Sequence, residues 1–223
     1  IDDEARQLAQ RYWNARSRFK FGVPTGTIGQ CIQWARETDE SCIFITDSGD
    51  NPTGGGVGDS PVCLDHLVAS DVPDVVIAGI ADAPATQASH AAGKGANLEL
   101  AFGGTLTPSA SQVVRLHVRV RYLDHNSLPR DRQAVLQSGG VTIIVSEKRR
   151  PLHYRADFEH LGIKLQRQKI IVVKMGYLVP DLKQVASHIF MALSPGAVDQ
   201  AIDHLSFKRI RRPIFPLDSD FYW

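Results

Sequence analysis

Cysteine and methionine are scarce in this chain, with three and two among 223 residues. Cys31, Cys42 and Cys63 are odd in number and share no metal-type spacing, and two of them lie in or beside apolar segments. That argues against a disulfide framework and fits reduced thiols in a cytoplasmic protein. Neither sign of charge is in excess. The formal net charge is +1, which gives no reason to expect a nucleic-acid partner. No apolar run approaches the length of a bilayer span, so no membrane partner is expected. The eight histidines form no HxH or HExxH pair, and no three ligands share a convincing metal spacing. A GxSxG nucleophile motif is missing as well. There is no initiator Met and no signal-peptide pattern, and residues 1–19 open directly on an amphipathic helix. We expect the chain to be a fragment of a larger protein.

What is present is an ordinary globular composition, 43% hydrophobic, enough for a sizeable core. Apolar periodicity predicts helices over 3–19 and 27–36, the second capped by Thr25 or Thr27. A strand at 41–46 follows, then a helix at 61–70 with Asp59 or Ser60 as its cap and Pro61 in its first turn. A strand at 75–80 and a helix at 84–92, stopped by Gly93, complete a series of βαβ units with a parallel sheet. From 97 the pattern changes to alternating strands at 97–102, 112–122, 134–136 and 141–146, with a hairpin turn at 138–140. A helix at 157–161, strand at 169–174, helix at 180–187, strand at 189–193 and helix at 197–205 precede a basic, proline-rich tail. The predicted class is α/β: a mixed sheet with βαβ units on the N-terminal side, antiparallel hairpins in the middle and flanking helices. The tail run Lys208-Arg209-Ile210-Arg211-Arg212 is expected to dock along the domain, its arginines paired with acids, rather than to bind nucleic acid.

Residues 46–61, TDSGDNPTGGGVGDSP, stand out. A loop this rich in glycine has a reason, either backbone at positive φ or backbone that something approaches closely. It joins a strand to a helix, where anions often bind. Yet no Lys lies in it, and Asp59 stands where a phosphate loop needs Lys, so a nucleoside triphosphate site is rejected. Asp47, Asp50, Asn51 and Asp59 suit a cation, a substrate amine or loop closure instead. Asp82, which ends the next strand, can face the same crevice at the carboxyl edge of a parallel sheet, or cap the helix at Pro84. A self-contained site of Asp47, Asp82 and His90 is a weaker alternative.

These residues carry a resemblance. The run 43–52 with Gly54-Gly55-Gly56 and Gly58-Asp59-Ser60 resembles the signature of the C-terminal domain of the microcystinase C (MlrC-like) metallopeptidase family. In the same order follow Ile80-Ala81-Asp82-Ala83-Pro84 with His90-Ala91-Ala92-Gly93, Ala134-Val135-Leu136 with Gly139-Gly140-Val141, and Ser194-Pro195-Gly196. Arg211-Arg212-Pro213-Ile214-Phe215-Pro216-Leu217-Asp218 matches the family's ending. The family pattern continues after residue 174 with a Ser and a His-Phe pair, where this chain has Met175-Gly176-Tyr177-Leu178. The resemblance implies that residues 1–223 are the C-terminal half of a zinc-dependent peptidase or amidohydrolase. An N-terminal half would supply most or all metal ligands and pack against this one, and zinc-bound water would attack a peptide or amide carbonyl. This half would hold no metal itself. Asp47, Asp50, Asn51, Gly54, Gly55, Gly56, Asp59 and Asp82 would line the cleft: Asp47 or Asp50 on a substrate amine, Asn51 and the glycine N–H groups on a carbonyl or carboxylate. A homo-oligomer is compatible with this. The competing expectation is a non-catalytic module whose loop holds a partner domain.

Overall fold

The computed structural model describes residues 1–104, 106, 113–124 and 131–222, with His204 as backbone only. The predicted strand start at 112, His125 and Trp223 lie outside the described residues. The chain divides into two compact units, Thr25–Gln200 on one hand and Ile1–Pro24 with Ala201–Trp223 on the other.

The smaller unit is built on helix α1 (Asp2–Ala15), whose first turn carries Asp2, Asp3 and Glu4 where the helix dipole favours negative charge. Trp13 anchors the unit. Its ring lies 4.9 Å from Phe221 and 6.4 Å from Phe215, and the Arg16 guanidinium covers it at 4.1 Å. The basic tail thus packs within this unit, and Arg212 forms a forked ion pair with Asp218. The predicted helix at 197–205 is not formed; a 3₁₀ turn at Ile202–His204 stands in its place. The N–H of Val198 bonds the Gly49 carbonyl, so the backbone at 198 is drawn to the glycine loop instead of into a helical ladder.

In the larger unit, β1 (Thr25–Gly26), α2 (Ile28–Arg36), β2 (Ile43–Asp47), α3 (Val62–Ser70), β3 (Val75–Ala81) and α4 (Ala83–Ala92) come first. The antiparallel block follows as β4 (Asn97–Phe102), β5 (Val114–Leu123), β6 (Gln133–Ser138) and β7 (Val141–Ser146). Helix α5 (Arg155–His160), β8 (Ile170–Val173), α6 (Pro180–Lys183) and β9 (Ile189–Ala192) complete it. One mixed sheet of nine strands runs in the order β1-β9-β2-β8-β3-β7-β6-β5-β4. From β1 to β7 the neighbours are parallel; β7, β6, β5 and β4 are antiparallel. β2 and β3 are parallel as the βαβ pattern predicts, but β8 inserts between them.

The core lies on both faces of the parallel half, which is why every residue of β2, β3 and β8 is buried. Ile43, Ile45, Ile170 and Val172 meet apolar residues of α2 and α3 on one face; Phe44, Ile171 and Val173 meet Phe158, Leu178 and Leu182 on the other. Thr27 caps α2 through a complete capping box with Gln30. Helix α6 ends four residues earlier than predicted. Val185 and Ala186 both donate to the Leu182 carbonyl, and Ser187 donates to that of Cys42, which turns the chain toward β9. Among the described residues no helix is long and apolar enough to cross a membrane.

Candidate functional site at the carboxyl edge of the parallel strands

Four parallel strands end at one edge. β2 delivers Asp47, β3 leads to Asp82, β8 to Lys174 and β9 to Ser194. This is the edge at which open α/β sheets hold ligands. The glycine loop folds over it and turns its charged groups inward. Asp47, Asp50, Asp59 and Asp82 are between 0% and 3% exposed, and Lys174 is 2% exposed.

The organising group is Lys174, which the sequence reading did not single out. Its ammonium donates to Asp47 Oδ2 at 3.0 Å, Asp50 Oδ2 at 3.0 Å and the Ser60 carbonyl at 2.9 Å. All three of its donors are therefore satisfied. Asp47 Oδ1 accepts from the Ser194 hydroxyl, and the Cys63 thiol donates to the same carboxylate. Asp50 closes the loop on itself, accepting from Gly58 N at 2.8 Å and Ser60 N at 2.7 Å. Burial drives the Asp47 pKa up, but the Lys174 charge and the bonds from Ser194, Lys174 and Cys63 outweigh it, and the net direction is down. For Lys174, burial favours the neutral amine and the two carboxylates more than reverse that. A buried ion pair of this kind holds only because its remaining lone pairs and protons are bonded.

The other predicted site residues are placed as follows. Asp82 caps α4, accepting from Ala85 N at 2.9 Å and Gly103 N at 3.4 Å. Burial, helped by the charge of Asp59, raises its pKa against those two bonds. Asp59 accepts from Leu106 N at 2.7 Å. Neither Asp59 nor Ser60 caps α3, whose N-cap is Pro61 without a side-chain bond; both polar groups of the Ser60 backbone are committed to Asp50 and Lys174. His90 bonds the Gln133 carbonyl at 3.0 Å, so Asp47, Asp82 and His90 do not assemble into a self-contained site. Gly54 and Gly56 point their N–H groups at the Asn51 carbonyl rather than outward. Asn51 itself is half-buried, and its Oδ1 accepts from the Thr53 N–H and hydroxyl. That leaves its NH₂ facing Gly54 and Gly176. The exposed tip is Thr53, Gly54 and Gly55, with Gly55 at φ 103°, where only glycine is relaxed.

Among the described residues, no three His, Cys, Asp or Glu side chains are placed to hold a metal ion. The three cysteines are free and buried. Burial pushes the Cys31 thiol up to about 12 and raises Cys42; Cys63 is raised by burial and then by the neighbouring Asp47 charge. We expect the folded protein to be inert to Ellman's reagent at pH 8 over minutes, and the denatured chain to release three equivalents of chromophore. A fast native equivalent would contradict this burial.

The comparisons with known proteins agree with this picture. The family model described as MlrC C-terminus matches residues 45–209. Microcystinase C of Sphingomonas sp. is 26% identical over 178 residues, covering 76% of this chain and 35% of its own length. A crystal structure of a Mesorhizobium sp. BNC1 protein, which carries the provisional name metallopeptidase, superposes with a TM-score of 0.79 at 25% identity. That match covers 99% of this chain and 46% of the other. The chain thus spans about a third and about half of the lengths of these relatives. The matched residues 45–209 include the whole glycine loop and Lys174 and Ser194 beneath it, and the chain belongs to the MlrC C-terminus family.

Proposed function

We infer that this chain is the C-terminal half of a metal-dependent peptidase or amidase and that its 46–61 loop forms one wall of the substrate cleft. The observation that carries this reading is the convergence of β2, β3, β8 and β9 beneath the loop, with neutral hydrogen-bonding groups at its surface. The relatives' names support the hydrolase class, and the greater length of those relatives supports an N-terminal half as partner. The buried free thiols support a reducing, cytoplasmic setting.

Zinc is the ion the resemblance implies, and the described residues do not fit it. Asp47 and Asp50 already bond an ammonium group, and no other set of donors gathers among the described residues. The metal ligands then belong to the N-terminal half, and this chain's carboxylates carry out no chemical step. Asp47 and Asp50 act as the loop's internal frame, while Asn51 and the tip at 53–55 meet the substrate, a peptide or amide.

The second reading, a non-catalytic assembly module, is favoured by one observation: the loop carboxylates are consumed internally. In protein carrying both halves, Asn51→Ala separates the two. The cleft reading expects kcat/KM to fall about tenfold or more, the size of one lost hydrogen bond to a charged or developing oxyanion, with the halves still associated. Loss of association at normal turnover per intact complex would support the module.

A further inference from the structure

Away from the carboxyl edge, a cavity of about 390 Å³ opens on the face of the sheet that carries α5, where β5 and β6 meet the turn after that helix. Its rim holds three cations, Arg121 from β5 and Lys164 and Arg167 from the turn, all exposed. Among the described residues no carboxylate lines it. None of the three has a side-chain partner among the described residues, in contrast to Arg132, Arg155 and Arg212, each of which is paired with an acid. Asp71 and Asp74 border a neighbouring hollow that shares Arg167, yet neither forms an ion pair with it. Tyr122, Gln137 and Thr142 add neutral hydrogen-bonding groups to the wall.

The backbone builds this arrangement. The β5–β6 ladder slips one residue between Val120 and Tyr122. Val120 packs into the core of one face, whereas Tyr122 packs against the core of the other, so the bulge aims Arg121 and Tyr122 to the same side. On the opposite wall, Gly162 at φ 76° turns the chain out of α5 and brings Lys164 and Arg167 to the rim. Three unneutralised cations around a polar hollow repel one another, and an anion relieves that repulsion. Two of them are guanidinium forks, which match the oxygen pairs of phosphate and carboxylate groups.

The geometry points to a binding site for a small polyanion, an organic phosphate or polycarboxylate, held by Arg121, Lys164 and Arg167. The site is independent of the glycine loop and of the reading given to it. Calorimetric titration of the whole chain at fixed ionic strength tests it, with inorganic phosphate, pyrophosphate and citrate as probes. Pyrophosphate or citrate is expected to bind at least tenfold more tightly than inorganic phosphate; whichever of the two is preferred tells phosphate from carboxylate recognition. Arg121→Gln and Arg167→Gln are each expected to weaken binding about tenfold, and Arg115→Gln, on the same strand but outside the cavity, to leave it unchanged. All three positions are exposed, and unchanged melting temperatures confirm that the variants fold. Absence of binding above a sodium chloride control would overturn the proposal. Equal weakening by Arg115→Gln would overturn it too, since that result describes a diffuse basic surface.

Discussion

Lys174→Met is expected to destabilise the protein by about 3–5 kcal/mol, the range for removing one partner of a buried ion pair. In a domain of this size that is a fall in melting temperature on the order of 10 °C. The methionine fits the space but leaves Asp47 and Asp50 buried without their cation and the Ser60 carbonyl without a donor. The pH dependence gives the same test a sign. In the native protein the Asp47 pKa lies below its ordinary value. Falling pH therefore protonates the unfolded chain first, near pH 4, and the contribution of Asp47 to stability is lost as pH drops through and below that range. In Lys174→Met the burial that already pushes Asp47 up is no longer opposed by the lysine's charge, the folded state binds the proton more tightly than the unfolded chain, and stability rises as pH falls from neutral toward about 4. Urea denaturation across that window reads both slopes. Parallel slopes for the two proteins would show that Lys174 does not control Asp47.

The second large effect is expected at Gly49, for reasons of space. Its φ is not positive, so its freedom is not the issue. A methyl group built at residue 49 would overlap the Ser194 carbonyl oxygen, and one at Gly196 would overlap the Gly49 carbonyl. The two segments pass backbone to backbone, tied by Gly49 N to Ser194 Oγ at 3.0 Å and by Val198 N to Gly49 O at 3.0 Å. Because backbone, rather than a flexible side chain, must move, Gly49→Ala is expected to cost about 3 kcal/mol or more. Its effect reaches Asp47 through Ser194, so native hydrogen exchange should quicken at residues 47–60 as well as at 193–198. Gly55→Ala, by contrast, meets no atom and carries only its unfavourable φ, a cost of about 1 kcal/mol. Equal losses at the two positions would contradict the packing argument.

Much of this architecture can be read from the chain because the relevant signals are local. The apolar run before residue 47, the cap at Thr27 and the two-glycine hairpin at 139–140 each specify their element within a few residues. The frame of the loop is not local. Lys174 follows Ile-Ile-Val-Val, where a lysine ordinarily marks the end of a strand in solvent, and its carboxylate partners lie 124 and 127 residues away. Only the insertion of β8 between β2 and β3 brings them together, and nothing in the βαβ pattern dictates that insertion. The same distance explains why Asp59 and Ser60 read as helix caps. Their type and spacing fit α3, but Asp50 and Lys174 bind the Ser60 backbone. The loop was thus legible as a feature, whereas the partner that Asp47 and Asp50 face, a buried lysine, was not.

The central claim is that Asp47 and Asp50 form a closed frame around Lys174 and are not ligands for a metal ion. Titration of the purified chain with zinc, followed by calorimetry, tests it most directly. The account predicts no stoichiometric site tighter than about millimolar, and the same isotherm for Asp47→Asn as for the native chain. One equivalent of zinc bound at micromolar affinity and lost in Asp47→Asn would contradict it.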